Sequence, residues 1–181
     1  MKIKKYVSII LALVMITGVF STTAFAAEIE GPVNEVIIGG DSSENRAPTP
    51  PKLFYNLGGS NQYTATLIDL AANRGSYTKY YFATSTGSIY LKCDLERSGT
   101  TTNKNRELII YLFEKATATS SGTLVATRTV NFTSPEWTAR RSFSGLDCNK
   151  FYYIRFFNNS STDPASSMDI SGTILVDDSY H

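Results

Sequence analysis

Ser88-Ile89-Tyr90-Leu91-Lys92-Cys93-Asp94-Leu95 alternates without a break: Ile89, Leu91, Cys93 and Leu95 share one parity, while Ser88, Tyr90, Lys92 and Asp94 share the other. Successive side chains of an extended chain point to opposite faces, so the run is a β-strand with one face on a core and the other towards solvent. A helix would scatter the same four apolar residues around its circumference.

Working outward, Glu107 to Glu114 carries Leu108, Ile110 and Leu112 on one parity and Ile109, Tyr111 and Phe113 on the other. Both faces of such a strand need cover, which places it centrally in a sheet. Phe151 to Phe157 behaves likewise, with Tyr152, Ile154 and Phe156 opposed to Phe151, Tyr153, Arg155 and Phe157. Towards the end, Met168, Ile170, Ile174 and Val176 share a parity with Gly172 between them, where a missing side chain marks a bulge or a close backbone approach. Weaker strand candidates run from Gln62 to Leu70, Tyr77 to Ala83, Thr123 to Phe132 and Thr138 to Phe143. Eight short runs rich in Thr, Tyr, Val, Ile and Phe, separated by Gly, Asn, Ser and Pro, predict an all-β sandwich of about eight antiparallel strands. Helix has little support, because Ile68 to Arg74, its best candidate, stops at Gly75.

The 181-residue chain opens with Lys2, Lys4 and Lys5, an apolar run from Val7 to Phe20, and Ala24-Phe25-Ala26. That order predicts a secretory signal helix over residues 1–26, cleaved after Ala26, and a protein released outside the cell. The apolar run is too short and too interrupted to span a bilayer, so no membrane association is expected after cleavage. Residues 27–52 form an acidic tail or linker punctuated by Gly39-Gly40 and Pro48, Pro50 and Pro51. Its one apolar cluster, Val36-Ile37-Ile38, is open to two readings, an added edge strand or part of a processed propeptide. Residues 53–181 make the sandwich domain.

Loss of the signal removes three lysines and lowers the basic count from 17 to 14 against 16 acids, a formal charge of −2. Nothing in that balance favours nucleic acid, which selects a concentrated basic patch. Cys93 and Cys148 are the only cysteines. Outside the cell a disulfide between them is expected, closing a loop of about 55 residues for about 4 kcal/mol of stabilisation. The alternative is two unlinked thiols, with Cys93 packed on its apolar face.

Several segments in order carry a resemblance: Tyr80-Tyr81-Phe82, Gly87 to Leu91, Leu108 to Phe113, Gly122 to Ala126, Lys150 to Phe156 and Ser171 to Val176. Together they resemble the pre-peptidase C-terminal domains, small jelly-roll-like β-sandwiches on secreted bacterial enzymes. The resemblance covers about 100 residues, Tyr77 to Val176, the size of one domain. It implies an accessory module, in some cases linked with calcium or polysaccharide, and supplies no ligand residues for this chain.

The only histidine is His181, the last residue, so no Ser-His-Asp, Cys-His or multi-histidine metal arrangement is expected. No phosphate-binding glycine loop is present either, and no cofactor is expected. Paired carboxylates are the one route left to an enzyme, a small glycoside hydrolase using two of the strand-end acids. Such acids more often serve turns, and the chain is read as non-catalytic. Calcium has Asp163, Asp169, Asp177 and Asp178 as candidate ligands but lacks EF-hand spacing.

Binding is the better prospect. Tyr90, Lys92, Tyr111, Phe113, Tyr153 and Arg155 alternate outward on three predicted strands and would form an aromatic platform if those strands were neighbours. Aromatic rings with polar tips suit sugars and protein surfaces. The competing reading is that these rings fill the second face of the core. Trp137, after Pro135, is either a loop anchor for a ligand or a lid on one end of the core. The function expected is a secreted binding module for an extracellular polysaccharide or a surface protein. The alternative is a self-assembling structural protein whose tail pairs with a neighbouring copy.

Overall fold

The computed structural model describes residues 33–38, 51, 53–59, 61–99, 106–117, 120–160 and 168–180; for 33–38 only the backbone is described. The expected signal helix over 1–26 and most of the 27–52 tail lie outside these residues. So do Asp163 and His181.

Among the described residues the chain is all-β, with no helix. Its strands are β1 (Val33–Ile38), β2 (Leu53–Asn56), β3 (Tyr63–Leu70), β4 (Gly75–Tyr77), β5 (Tyr80–Ala83), β6 (Ser88–Gly99), β7 (Glu107–Lys115), β8 (Thr123–Asn131), β9 (Glu136–Ser144), β10 (Phe151–Asn158) and β11 (Met168–Asp177). They form two sheets. The first has the order β1-β3-β11-β6-β9; the second runs β2-β5-β10-β7-β8, with β4 also paired to β10. Pairings are antiparallel except at one edge of each sheet, where β1 joins β3 and β2 joins β5 in parallel. The expectation of an entirely antiparallel set is corrected at those two edges.

Each of the eight expected runs contains a strand. The run from Tyr77 to Ala83 divides because Thr78, buried at the break, substitutes its side chain for part of the ladder. Ile154 N–H donates to Thr78 Oγ1 at 3.1 Å, and Thr78 Oγ1 donates to Tyr80 O at 2.9 Å. The Val36-Ile37-Ile38 cluster lies in β1, at the edge of the first sheet.

One core lies between the sheets. From the first come Ile89, Leu91, Cys93 and Leu95 of β6 with Ile170, Ile174 and Val176 of β11; from the second come Leu108, Ile110 and Leu112 of β7 with Tyr152, Ile154 and Phe156 of β10. The period-two apolar sets thus meet each other, as stacked sheets require. Aromatic rings fill one end: Tyr63 of the first sheet meets Phe82 of the second at 4.9 Å between centroids, in an edge-to-face arrangement that favours ring pairs.

Two details bind the layers. At the free edges, Arg128 on β8 donates from Nε to Ser142 O on β9 at 2.7 Å, and Arg141 on β9 donates from Nε to Thr129 O on β8, also at 2.7 Å. Both positions have core parity, pairing with Ile110 and Leu91, so each charge points inward across the gap. Inward charges at an edge oppose pairing with another chain. Inside the core, Asn158 of the second sheet donates from Nδ2 to Leu70 O and Met168 O of the first, each at 2.7 Å.

Candidate functional site

The outer face of the second sheet is where aromatic residues collect. On β10 the residues opposite the core set are Phe151, Tyr153, Arg155 and Phe157; on β7 they are Ile109, Tyr111, Phe113 and Lys115. The antiparallel register sets them directly opposite one another, as Phe151 with Lys115, Tyr153 with Phe113, Arg155 with Tyr111 and Phe157 with Ile109. On the other side of β10, Arg155 pairs with Tyr77.

These neighbours pack as rings. Phe113 and Tyr153 stack nearly parallel, 6° apart with centroids 5.0 Å from each other, and Tyr77 lies 6.2 Å from both. Tyr111 and Phe157 are 6.4 Å apart. Phe54, Tyr81 and Phe151 form a second group at 5.3–5.6 Å. Two cations sit among them. Arg155 Cζ lies 5.4 Å from the Tyr77 centroid, 5.7 Å from Tyr111 and 5.0 Å from Phe157, within cation–π range of all three. Lys115 Nζ lies 4.7 Å over Tyr81 and donates to Pro51 O at 3.2 Å.

Cover is uneven across this face. Tyr81 and Tyr153 are fully buried, whereas Tyr77, Tyr111, Phe113, Arg155 and Phe157 are half-buried. Part of the cover over Tyr153 comes from the β7–β8 connection, where a Cβ on Gly122 would come within 2.6 Å of Tyr153 Cζ. Burial raises the Tyr81, Tyr153 and Tyr77 phenols; the neighbouring Arg155 charge opposes the rise at Tyr77. Burial also lowers the Lys115 ammonium. The phenols are therefore neutral at physiological pH.

No family model and no curated protein matches this chain.

The expected platform is divided by the fold. Tyr111, Phe113, Tyr153 and Arg155 are brought together, but Tyr90 and Lys92 on β6 belong to the other sheet. There Tyr90 packs edge-on against Tyr180 at 5.6 Å and Lys92 pairs with Asp94 at 3.2 Å. The hollow they line with Arg140 and Asp177 measures about 30 Å³, room for a water and little more. Trp137 lies on strand β9 and not in a loop, opposite Leu95 and packed against the core. Tyr77, Phe157, Phe54 and Tyr81 belong to the face without having been singled out from the sequence. The parity of β10 signalled Phe157; the placement of β2, β4 and β5 beside it has no local signature.

The expected disulfide is corrected as well: both cysteines are free thiols, Cys93 buried and Cys148 exposed. Cys148 Sγ lies 3.6 Å from Ser85 O, and 3.8 Å from where a Cβ on Gly87 would stand. Cys93 is six positions further along β6, about 20 Å away at strand rise, whereas a bridge needs Cα atoms within about 7 Å. Burial pushes the Cys93 thiol up to about 12. Reduction should leave the intact mass of the purified protein unchanged. A maleimide should label Cys148 in the native state and Cys93 only after unfolding; loss of both labels from the unfolded protein on omitting the reductant would restore the bridge.

Among the described residues no three His, Cys, Asp or Glu side chains group to hold a metal. The Asp177 and Asp178 carboxylates are buried and engaged by protein donors: Asp178 Oδ2 accepts from Ser85 N–H and Oγ–H, and Asp177 accepts from Gln62 Nε2 and the Asp178 N–H. A separate concavity of about 250 Å³ holds Glu114 and Asp147 beside Arg128, Phe143 and Tyr152. Lys150 is 3.9 Å from Glu114, and Asp147 Oδ1 accepts from Asn149 N–H at 2.8 Å, closing its own turn.

Proposed function

We propose that this protein is an exported, non-catalytic binding module of the jelly-roll sandwich type, and that it holds an extracellular polysaccharide on the outer face of its second sheet. Support comes above all from two groups of rings on one face of that sheet, Tyr77, Phe113 and Tyr153 and then Tyr111 and Phe157, most of them half-buried and with Arg155 between the groups. A solvent-facing sheet surface is ordinarily polar, and the half-buried rings here lie outside the core cluster between the sheets. None of these rings is among the strongly exposed apolar side chains, unlike an anchor that fills a pocket on a protein partner. Sugar rings need only flat apolar surface edged with hydroxyls, and the Tyr77 and Tyr111 phenols supply both. Export is supported by the Lys-apolar-Ala-Phe-Ala order of residues 1–26, and the absence of catalysis by a single histidine at the last position.

The test is binding across a panel of immobilised polysaccharides with the whole exported chain, followed by Tyr111→Ala and, on the opposite sheet, Tyr90→Ala. Tyr111→Ala should weaken the bound glycan by about 10- to 100-fold, the loss expected for about 1.5–3 kcal/mol of ring burial. Tyr90→Ala should leave affinity unchanged, with melting temperature confirming that both variants fold. A panel in which no polysaccharide binds, or equal loss from both variants, would remove the proposal.

A further inference from the structure

Arg155 is the one charge at the middle of this face. Its register neighbours on both sides are tyrosines, Tyr77 and Tyr111, and Phe157 follows two positions along the same strand. Among the described residues, Nε is buried and meets no hydrogen-bond acceptor, and no carboxylate forms an ion pair with the guanidinium. The outward acid on the central strands, Glu107, stands at the far end of β7 and accepts from Asn159 Nδ2 at 3.0 Å.

An unpaired half-buried guanidinium is costly to keep, and stacking on rings offsets only part of its lost hydration. Space for it has nevertheless been kept open: a Cβ on Gly75 would stand 2.9 Å from Arg155 Nε and 3.1 Å from its Nη2. The guanidinium is thus held by its neighbours, its Nε–H unused and its Nη end left to face a surface where a bound polymer would lie. A carboxylate accepts two parallel bonds from such a fork, and a hydroxyl cannot.

We propose, resting on the binding face proposed above, that Arg155 selects acidic polysaccharides by pairing with a uronate carboxylate while the surrounding rings stack on the sugars. The net charge of −2 expected for the exported chain makes a general attraction to polyanions a poor substitute for this local pairing.

The experiment measures binding of the whole exported chain to polygalacturonate and to alginate, each beside its carboxyl-reduced neutral form, in low and high salt. The native protein should favour at least one acidic polymer over its reduced form by about tenfold or more, and salt should narrow the gap. Arg155→Met, which keeps the stacked stem and loses the charge, should abolish that preference. Arg155→Lys, which keeps a charge without the fork, should retain part of it and serves if the methionine variant fails to fold. Equal affinity for acidic and reduced polymers, unmoved by either variant, would overturn the role of Arg155 and leave the binding face standing. Binding to neutral glycans alone would do the same. Capture of polyglutamate with neither polymer bound would replace the glycan by an acidic protein, and no binding at all would remove both proposals.

Discussion

Gly172→Ala should destabilise the fold by about 3–5 kcal/mol, enough to lower the melting temperature by about 10 °C or more for a domain of this size. Gly172 sits in β11 between β3 and β6, at the register shift in the β3 pairing, with φ of +128°. An L side chain resists that backbone conformation by about 1–3 kcal/mol. Space is the second objection. A Cβ there would stand 2.8 Å from Leu95 Cα and closer still to the Asp94 carbonyl oxygen, both backbone atoms of β6. β6 is laddered to β11 on one side and β9 on the other, so it cannot step away, and overpacking of a rigid site adds about 1–3 kcal/mol. Gly145→Ala is the control, because Gly145 has φ of +72° with nothing within 4 Å of its Cβ position. It should lose only about 1 kcal/mol, the backbone share alone. Equal urea midpoints for the two variants would show that close approach is not what Gly172 provides.

Asn158→Asp should be nearly as damaging, and its damage should depend on pH. Asn158 is fully buried, and its Nδ2 donates to two carbonyls of the opposite sheet while Oδ1 accepts from Ser160 N–H at 3.1 Å. An aspartate keeps the shape and the Oδ1 contact but aims its other oxygen at Leu70 O and Met168 O. Ionised, it is a buried charge facing two acceptors; protonated, it satisfies one of them. Breaking such a buried network costs about 3–5 kcal/mol when a charge is left unpaired, and about 1–3 kcal/mol when only one acceptor is orphaned. Burial raises the folded-state pKa of this carboxyl above its unfolded value of about 3.9. A raised pKa means the folded state holds its proton longer, so stability is retained below that unfolded value and lost as pH rises through the folded one. The gap between variant and native urea midpoints should therefore widen from pH 4 to pH 7. A gap that narrowed over this interval would place residue 158 in contact with solvent or a cation.

These two residues also show what a linear reading reaches. Gly172 interrupts an alternating run, so a bulge or close approach was legible there. Asn158 ends a strand whose neighbours in sequence are polar, and nothing local marks it as the tie between layers. Trp137 was legible after the fact, since it shares parity with Ala139 and Phe143, both in the core. Compartment is the ground for expecting a disulfide, and it carries no distance. β2 has no local signature, because four residues beside Pro51 are too few to show a period.

Alternation in Ser88 to Leu95 and in the other runs determined the class of the fold, and with it which side of each strand is buried, because side-chain direction in an extended chain depends only on position along it. It also exposed the doubly apolar strands β7 and β10, whose second face became the candidate site. Which strands share a sheet was decided by tertiary structure alone. That choice set Tyr90 and Lys92 on one side of the protein and Tyr111, Tyr153 and Arg155 on the other, and it brought Gly75 and Tyr77 against the guanidinium. Pairing between strands far apart in sequence depends on how two whole sheets cover each other, and no short window of residues encodes it.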